Sequence, residues 1–217
     1  LPNREKTSPF QKKRGRRSAN GDRANQELLV RCAFDRDVPR SKSVCQLENS
    51  SPIMARMNFR EKIISWDNLP AWRKALRAGG RKLVVTNGCF DLLHVGHVTY
   101  LETARNLGDA LLVGVNGDAA VRELKGADRP VNEESDRAAV LAALQSVDGV
   151  CIFAERTATR FLSMAQPDIY VKGGDYTLDT LNKDERQAVE EAGGRIVIIP
   201  FVSGKSTTAL LAKIARL

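Results

Sequence analysis

The sequence predicts a doubly wound α/β fold, a five-stranded parallel sheet with helices on both faces, behind a disordered N-terminal tail. Two observations carry this. Five apolar runs of strand length, KLVVT (82–86), ALLVGV (110–115), GVCIF (149–153), DIYVK (168–172) and RIVIIP (195–200), are continuous rather than alternating, as strands covered on both faces are. Helical patterns fall between them, and such alternation closes most simply through right-handed crossovers into one parallel sheet.

The regular pattern begins near residue 60. ISWDNLPAWRKALRAGG (64–80) reads as a short amphipathic helix, with Asp67 or Asn68 as cap, Leu69, Trp72 and Leu76 on one face, and Gly79-Gly80 as its end. After the first strand, 96–107 reads as a helix. The next, 133–146, has Asn132 as cap and Glu133, Glu134 and Asp136 in its first turn, where negative charge favours a helix. Helices over 157–166 and 181–192 follow, the second closed by EAGG, and STTALLAKIARL (206–217) ends the chain.

The net charge of +8 raises the question of a nucleic-acid partner. The excess lies in the first 56 residues, which carry 13 Lys or Arg against 6 Asp or Glu; the other 161 carry 21 against 20. The cluster KKRGRR (12–17) lacks interleaved aromatics, and the tail has only LLVRCAF (28–34) as an apolar run. Such a segment cannot bury a core, so 1–56 is read as a solvated tail and 57–217 as the folded domain, with no nucleic-acid partner expected. The chain opens on Leu1, while Met54 and Met57 stand where regular patterning begins, which fits a start near those methionines. No run approaches the roughly 18 apolar residues of a membrane span. The four cysteines, Cys32, Cys45, Cys89 and Cys151, show no metal-ligand spacing, and with no disulfide framework the expected compartment is the reducing cytoplasm.

Both histidines of the chain lie in one stretch, TNGCFDLLHVGH (86–97). It runs from the end of the first strand through a glycine-bearing loop into a helix beginning near His94. Ligands of doubly wound sheets bind outside the carboxyl ends of the strands, and a helix N-terminus offers unpaired N–H groups to an anion. Three uses of the pair stand open. His94 and His97, three apart, could hold a metal, although no Glu, Cys or third His lies nearby to complete the set; they could be structural; or they could donate to phosphate.

The stretch GCFDLLHVGH resembles the signature of the HxGH nucleotidyltransferases, which include cytidylyltransferases and phosphopantetheine adenylyltransferase. Together with LKGADRPVNEESDR (124–137), VKGGDY (171–176) and GKSTT (204–208), it is similar to the D-glycero-β-D-manno-heptose 1-phosphate adenylyltransferase domain, over roughly 60–217. The resemblance implies a Rossmann-like fold and attack by a sugar-phosphate oxygen on the α-phosphorus of ATP, with Mg²⁺ accompanying the nucleotide. It implies His94, His97 and Lys125 as catalytic residues and no protein-bound metal. It implies nucleotide contacts from Asn87, Gly88, Cys89, Phe90, Gly96, Arg137, Gly173, Asp175, Ser206, Thr207 and Thr208, and substrate contacts from Asp91 and Asn116. Cys89 is read as a small packing residue and not a nucleophile. In many members this domain follows a sugar kinase, so the expectation is a stand-alone transferase that depends on a separate kinase; a homodimer is compatible with the reading. The alternative is a cytidylyltransferase for a small phospho-alcohol such as glycerol 3-phosphate. GKST also looks like a phosphate-binding loop, but such a loop needs glycine at 199, where this chain has Ile199. Ser206 can equally be an ordinary helix cap.

Because the tail has neither core pattern nor site motif, a protein lacking residues 1–56 is expected to keep its melting temperature and its rate of pyrophosphate release. A large fall in either would make the tail part of the machinery.

Overall fold

The computed structural model describes residues 58–174, 176–177, 179–200 and 206–217. The tail, Asp175 and the Gly204-Lys205 part of the last loop lie outside these. The five apolar runs form β1 (Leu83–Gly88), β2 (Ala110–Asn116), β3 (Gly149–Phe153), β4 (Ile169–Gly173) and β5 (Arg195–Ile199). All pair in parallel, in the order β3-β2-β1-β4-β5. The helices are α1 (Leu69–Ala78), α2 (Val95–Arg105), α3 (Asp118–Lys125), α4 (Glu134–Ala142), α5 (Thr159–Ala165), α6 (Lys183–Glu191) and α7 (Thr207–Ile214).

Strand order reverses at β1. From there the chain builds outward through β2 and β3, then returns to lay β4 on the other edge of β1. The loops leaving β1 and β4 diverge to opposite sides and open a crevice above their carboxyl ends.

Alternation along β1 divides the core into two layers. Leu83 and Val85 pack with Leu112, Phe161, Tyr170 and Val189, while Val84 packs with Leu101, Val113, Leu141 and Val171. Every residue of β2 is buried, which is why its sequence shows no polar alternation.

Three local features differ from the sequence reading. Asp67 and Asn68 do not cap α1 with their side chains; with Trp66 they form a 3-10 turn, and the Leu69 N–H goes back to the Ser65 carbonyl at 3.1 Å. Asn132 does not cap α4. Glu133 takes the cap position, and the Asn132 amide donates instead to the Asp91 carbonyl at 3.0 Å. Helix α3 was not expected at all: its first N–H, on Asp118, is satisfied by the Glu134 carboxylate at 2.8 Å, a cap supplied from the next helix that no local pattern reveals. Among the described residues, no helix is long and apolar enough to cross a membrane.

Gly114 in the middle of β2 is required by close approach: a Cβ there would lie 2.5 Å from Phe161 Cε1. Overpacking of this kind costs about 1–3 kcal/mol, and each kcal/mol is about 2–4 °C for a domain of this size. Gly114→Ala is expected to lower the calorimetric midpoint by several degrees and Gly114→Ala/Phe161→Leu to recover part of it. An unchanged midpoint in the single variant would show that the Phe161 ring yields freely.

Candidate active site

β1 ends at Gly88, and the Phe90 ring lies over it; a Cβ on Gly88 would stand 3.1 Å from Phe90 Cε2. Phe90 takes a left-handed φ of 45°, which turns the loop and brings the ring edge-on to His97 at 5.4 Å. His94 occupies the cap position of α2 but makes no side-chain cap bond. Its carbonyl receives the N–H groups of His97 and Val98 at 2.9 and 3.3 Å. The N–H groups of Val95 and Gly96 precede those first helical bonds and point out of the helix end, as anion-binding termini require.

The two imidazoles stack at 4.0 Å between centroids, 22° from parallel. Burial, and then the neighbouring His94, push His97 down to about 4. It is therefore a neutral ring near pH 7. Its Nδ1 is buried with no hydrogen-bond partner among the described residues.

Two buried ionic latches shape the loop that leads to this pair. Arg137 is 2% exposed. It donates to the carbonyls of Cys89 (2.5 Å), Asn116 (2.8 Å) and Asn132 (3.0 Å), and to the Asp118 carboxylate (2.7 Å). Four N–H groups are thus spent inside the protein, so this guanidinium positions the loops after β1 and β2 and does not reach into the crevice. Asp91, 5% exposed, accepts from Arg129 at 2.5 Å and from the N–H groups of Val131 and Asn132 at 2.8 and 3.1 Å. Its carboxylate fastens the 126–133 loop and is not open to substrate. Asn116, also buried, donates to the Glu155 carbonyl at 3.2 Å, joining the ends of β2 and β3.

Lys125 ends α3 and is exposed, yet near enough for its charge to act on Cys89. Burial raises the Cys89 thiol above its usual range, with Lys125 and Arg137 pulling the other way. The thiol is kept protonated, in keeping with a packing role. Across the crevice, Ser206 caps α7 by accepting the Ala209 N–H at 3.1 Å, and the Thr207 hydroxyl donates to the Leu92 carbonyl at 3.3 Å. A second helix N-terminus is thereby tied to the histidine loop. Thr208 is exposed beside it. Gly173 ends β4, opposite Ile199; Asp175 lies outside the described residues.

Sequence reasoning passed over Lys172 and Tyr170, which meet Asn87 at the end of β1, and Glu185, which holds both of them. Lys172 stood inside the VKGGDY segment, but only its glycine and aspartate drew notice. Arg129 likewise stood inside LKGADRP.

A family model described as cytidylyltransferase-like matches residues 85–210, more than half of the chain. The chain belongs to the cytidylyltransferase-like family. The match runs from β1 to the first turn of α7 and so takes in the histidine pair, both latches and the Ser206–Thr208 helix start. The bifunctional protein HldE of Geotalea uraniireducens is 54% identical over 153 residues, 70% of this chain and 31% of that protein. HldE of Geobacter metallireducens is 49% identical over 156 residues, 71% of this chain and 31% of the relative. The chain spans about a third of the length of these curated relatives. Among solved structures, the lipopolysaccharide core biosynthesis protein from Thermoplasma volcanium is similar at 28% identity and a TM-score of 0.48, covering 58% of this chain and 100% of that one.

The acidic groups nearest the histidine loop are ion-paired within the protein. Asp91 and Asp118 are engaged by Arg129 and Arg137, and no three His, Cys, Asp or Glu side chains gather among the described residues.

The depressed His97 has a consequence for stability. The unfolded chain protonates near 6.5 and the folded ring only near 4, so the unfolded state binds more protons between those values. The contribution of His97 to stability is then level above about pH 6.5 and is lost as pH drops toward 4. In urea titrations at pH 7.5 and 5, the wild type is expected to lose more stability than His97→Asn. Equal losses would mean that His97 does not titrate in this way.

Proposed function

We propose that the chain transfers the adenylyl group of ATP to D-glycero-β-D-manno-heptose 1-phosphate, giving ADP-heptose and pyrophosphate for the lipopolysaccharide core. The observation that carries nucleotidyl transfer is the stacked His94/His97 pair on an uncapped helix N-terminus, above the point where strand order reverses. The choice of sugar rests on TNGCFD, LKGADRP and VKGGDY, which resemble the heptose branch, and on the likeness to HldE proteins.

A phosphate oxygen of the sugar attacks the α-phosphorus. The bond from that phosphorus to the oxygen bridging the β-phosphate breaks, and pyrophosphate leaves with the electron pair. No protein nucleophile is needed, so catalysis consists of holding the two phosphates in line and stabilising charge on the phosphoryl oxygens. His94 and His97 donate to those oxygens, joined by the N–H groups at the start of α2. Lys125 adds an exposed positive charge from the 126–133 side, and the Ser206–Thr208 terminus meets the nucleotide from the other. Mg²⁺ would offset charge on the triphosphate that brings it. The bifunctional relatives extend well beyond the matched region, which fits a linked kinase that supplies the sugar phosphate. The setting is cytoplasmic, where ATP is available.

The test is pyrophosphate release with each nucleoside triphosphate against a panel of sugar phosphates. ATP with the heptose 1-phosphate is expected to give the highest kcat/KM, with CTP and glycerol 3-phosphate poor. Comparable use of CTP, or ready turnover of glycerol 3-phosphate, would move the chain to the alternative reading. His94→Ala and His97→Ala are each expected to reduce turnover about 100-fold or more in a folded protein, the effect of removing a donor aimed at transition-state charge. Full activity in either variant would remove that residue from the mechanism.

A further inference from the structure

Asn87, half-buried at the carboxyl end of β1, lies beside β4 at the crevice. Its side-chain oxygen is 2.7 Å from the Tyr170 hydroxyl and 3.0 Å from Lys172 Nζ. An ammonium has only hydrogens to give, so an amide nitrogen cannot stand in that place, and the carboxamide is fixed with its oxygen toward Lys172. Lys172 is held in turn by Glu185, whose Oε2 is 3.2 Å from Nζ and 2.9 Å from the Tyr170 hydroxyl. The other Glu185 oxygen accepts the Ala158 N–H at 2.8 Å.

The phenol has one proton for two oxygens, and the ammonium reaches both. Burial, and then Glu185, push the Tyr170 phenol far above its ordinary range, so it stays a donor. The Lys172 and Glu185 side chains are only 13% and 8% exposed. A buried ion pair seldom stabilises a fold more than well-packed apolar groups would, which leaves orientation as what this one supplies. Asn87 is itself half-buried, and both of its bonds to these partners use the side-chain oxygen, so its Nδ2 has no hydrogen-bond partner among the described residues.

We infer that Lys172, Tyr170 and Glu185 are positioning residues that hold Asn87 with its Nδ2 donors toward the crevice, where they donate to an oxygen of the bound nucleotide. The inference rests on the nucleotidyl-transfer reading. The network acts as one unit: Lys172 sets the direction of the amide, Tyr170 supports it, and Glu185 neutralises the lysine and anchors it to α5 and α6.

The test is calorimetric titration of the full chain with ATP, with melting temperatures measured alongside. Asn87→Ala and Lys172→Met are each expected to weaken ATP about tenfold, the effect of losing one donor to a charged oxygen. The double variant is expected to be no weaker than either single one, because Lys172 acts through Asn87, and Lys172→Arg is expected to restore part of the affinity. Tyr170→Phe keeps the shape, removes one donor, and is expected to weaken ATP severalfold even if Lys172→Met fails to fold. Additive losses in the double variant would mean that Lys172 meets the nucleotide itself, and wild-type affinity in Lys172→Met or Tyr170→Phe would likewise overturn the inference. Failure of the wild type to bind ATP would overturn the nucleotide reading and this inference with it, an outcome separate from the variants' results.

Discussion

The guanidinium of Arg137 is the group on which the geometry of the site depends. Three segments far apart in the chain, the loop after β1, the end of β2 and the turn before α4, present carbonyls that would otherwise face one another unpaired. Arg137 gathers all three and pairs with Asp118. A buried charge is tolerated only when its hydrogen bonds are met, so the loops must sit where the guanidinium can serve them. The path of the histidine loop is therefore set from beneath, by a residue that does not itself enter the crevice.

The same logic recurs around it. Asp91 closes the 126–133 loop through Arg129 and two backbone N–H groups, and the Glu134 carboxylate caps α3. Polar groups beneath the crevice point inward and are satisfied. Among the described residues, the first N–H groups of α2 and Asn87 Nδ2 keep capacity to spare. That division separates the groups that shape the site from those able to meet a ligand.

How much of this was legible in the sequence follows from which groups make the contacts. The five strands were legible because burial on both faces leaves a continuous apolar run, and the histidine pair because its members are three residues apart. The work of Arg137 was not, since its partners are backbone carbonyls, which carry no signature in the residues that bear them. Asp91 was expected to meet substrate, and its carboxylate is engaged by Arg129 and two backbone N–H groups, while the Asn116 amide nitrogen donates to the Glu155 carbonyl. The start of α3 was hidden because its cap comes from the following helix, and Lys172 because its meaning depends on Asn87 85 positions away.

The central claim is that a fold shaped by buried latches holds a neutral, half-buried histidine where a triphosphate arrives. A bound anion beside His97 favours the charged ring and must raise its pKa. The direct measurement is an NMR pH titration of the His97 ring, alone and with saturating ATP. The account predicts a midpoint near 4 in the free protein and a clear upward shift with ATP; an identical midpoint in both states would contradict it.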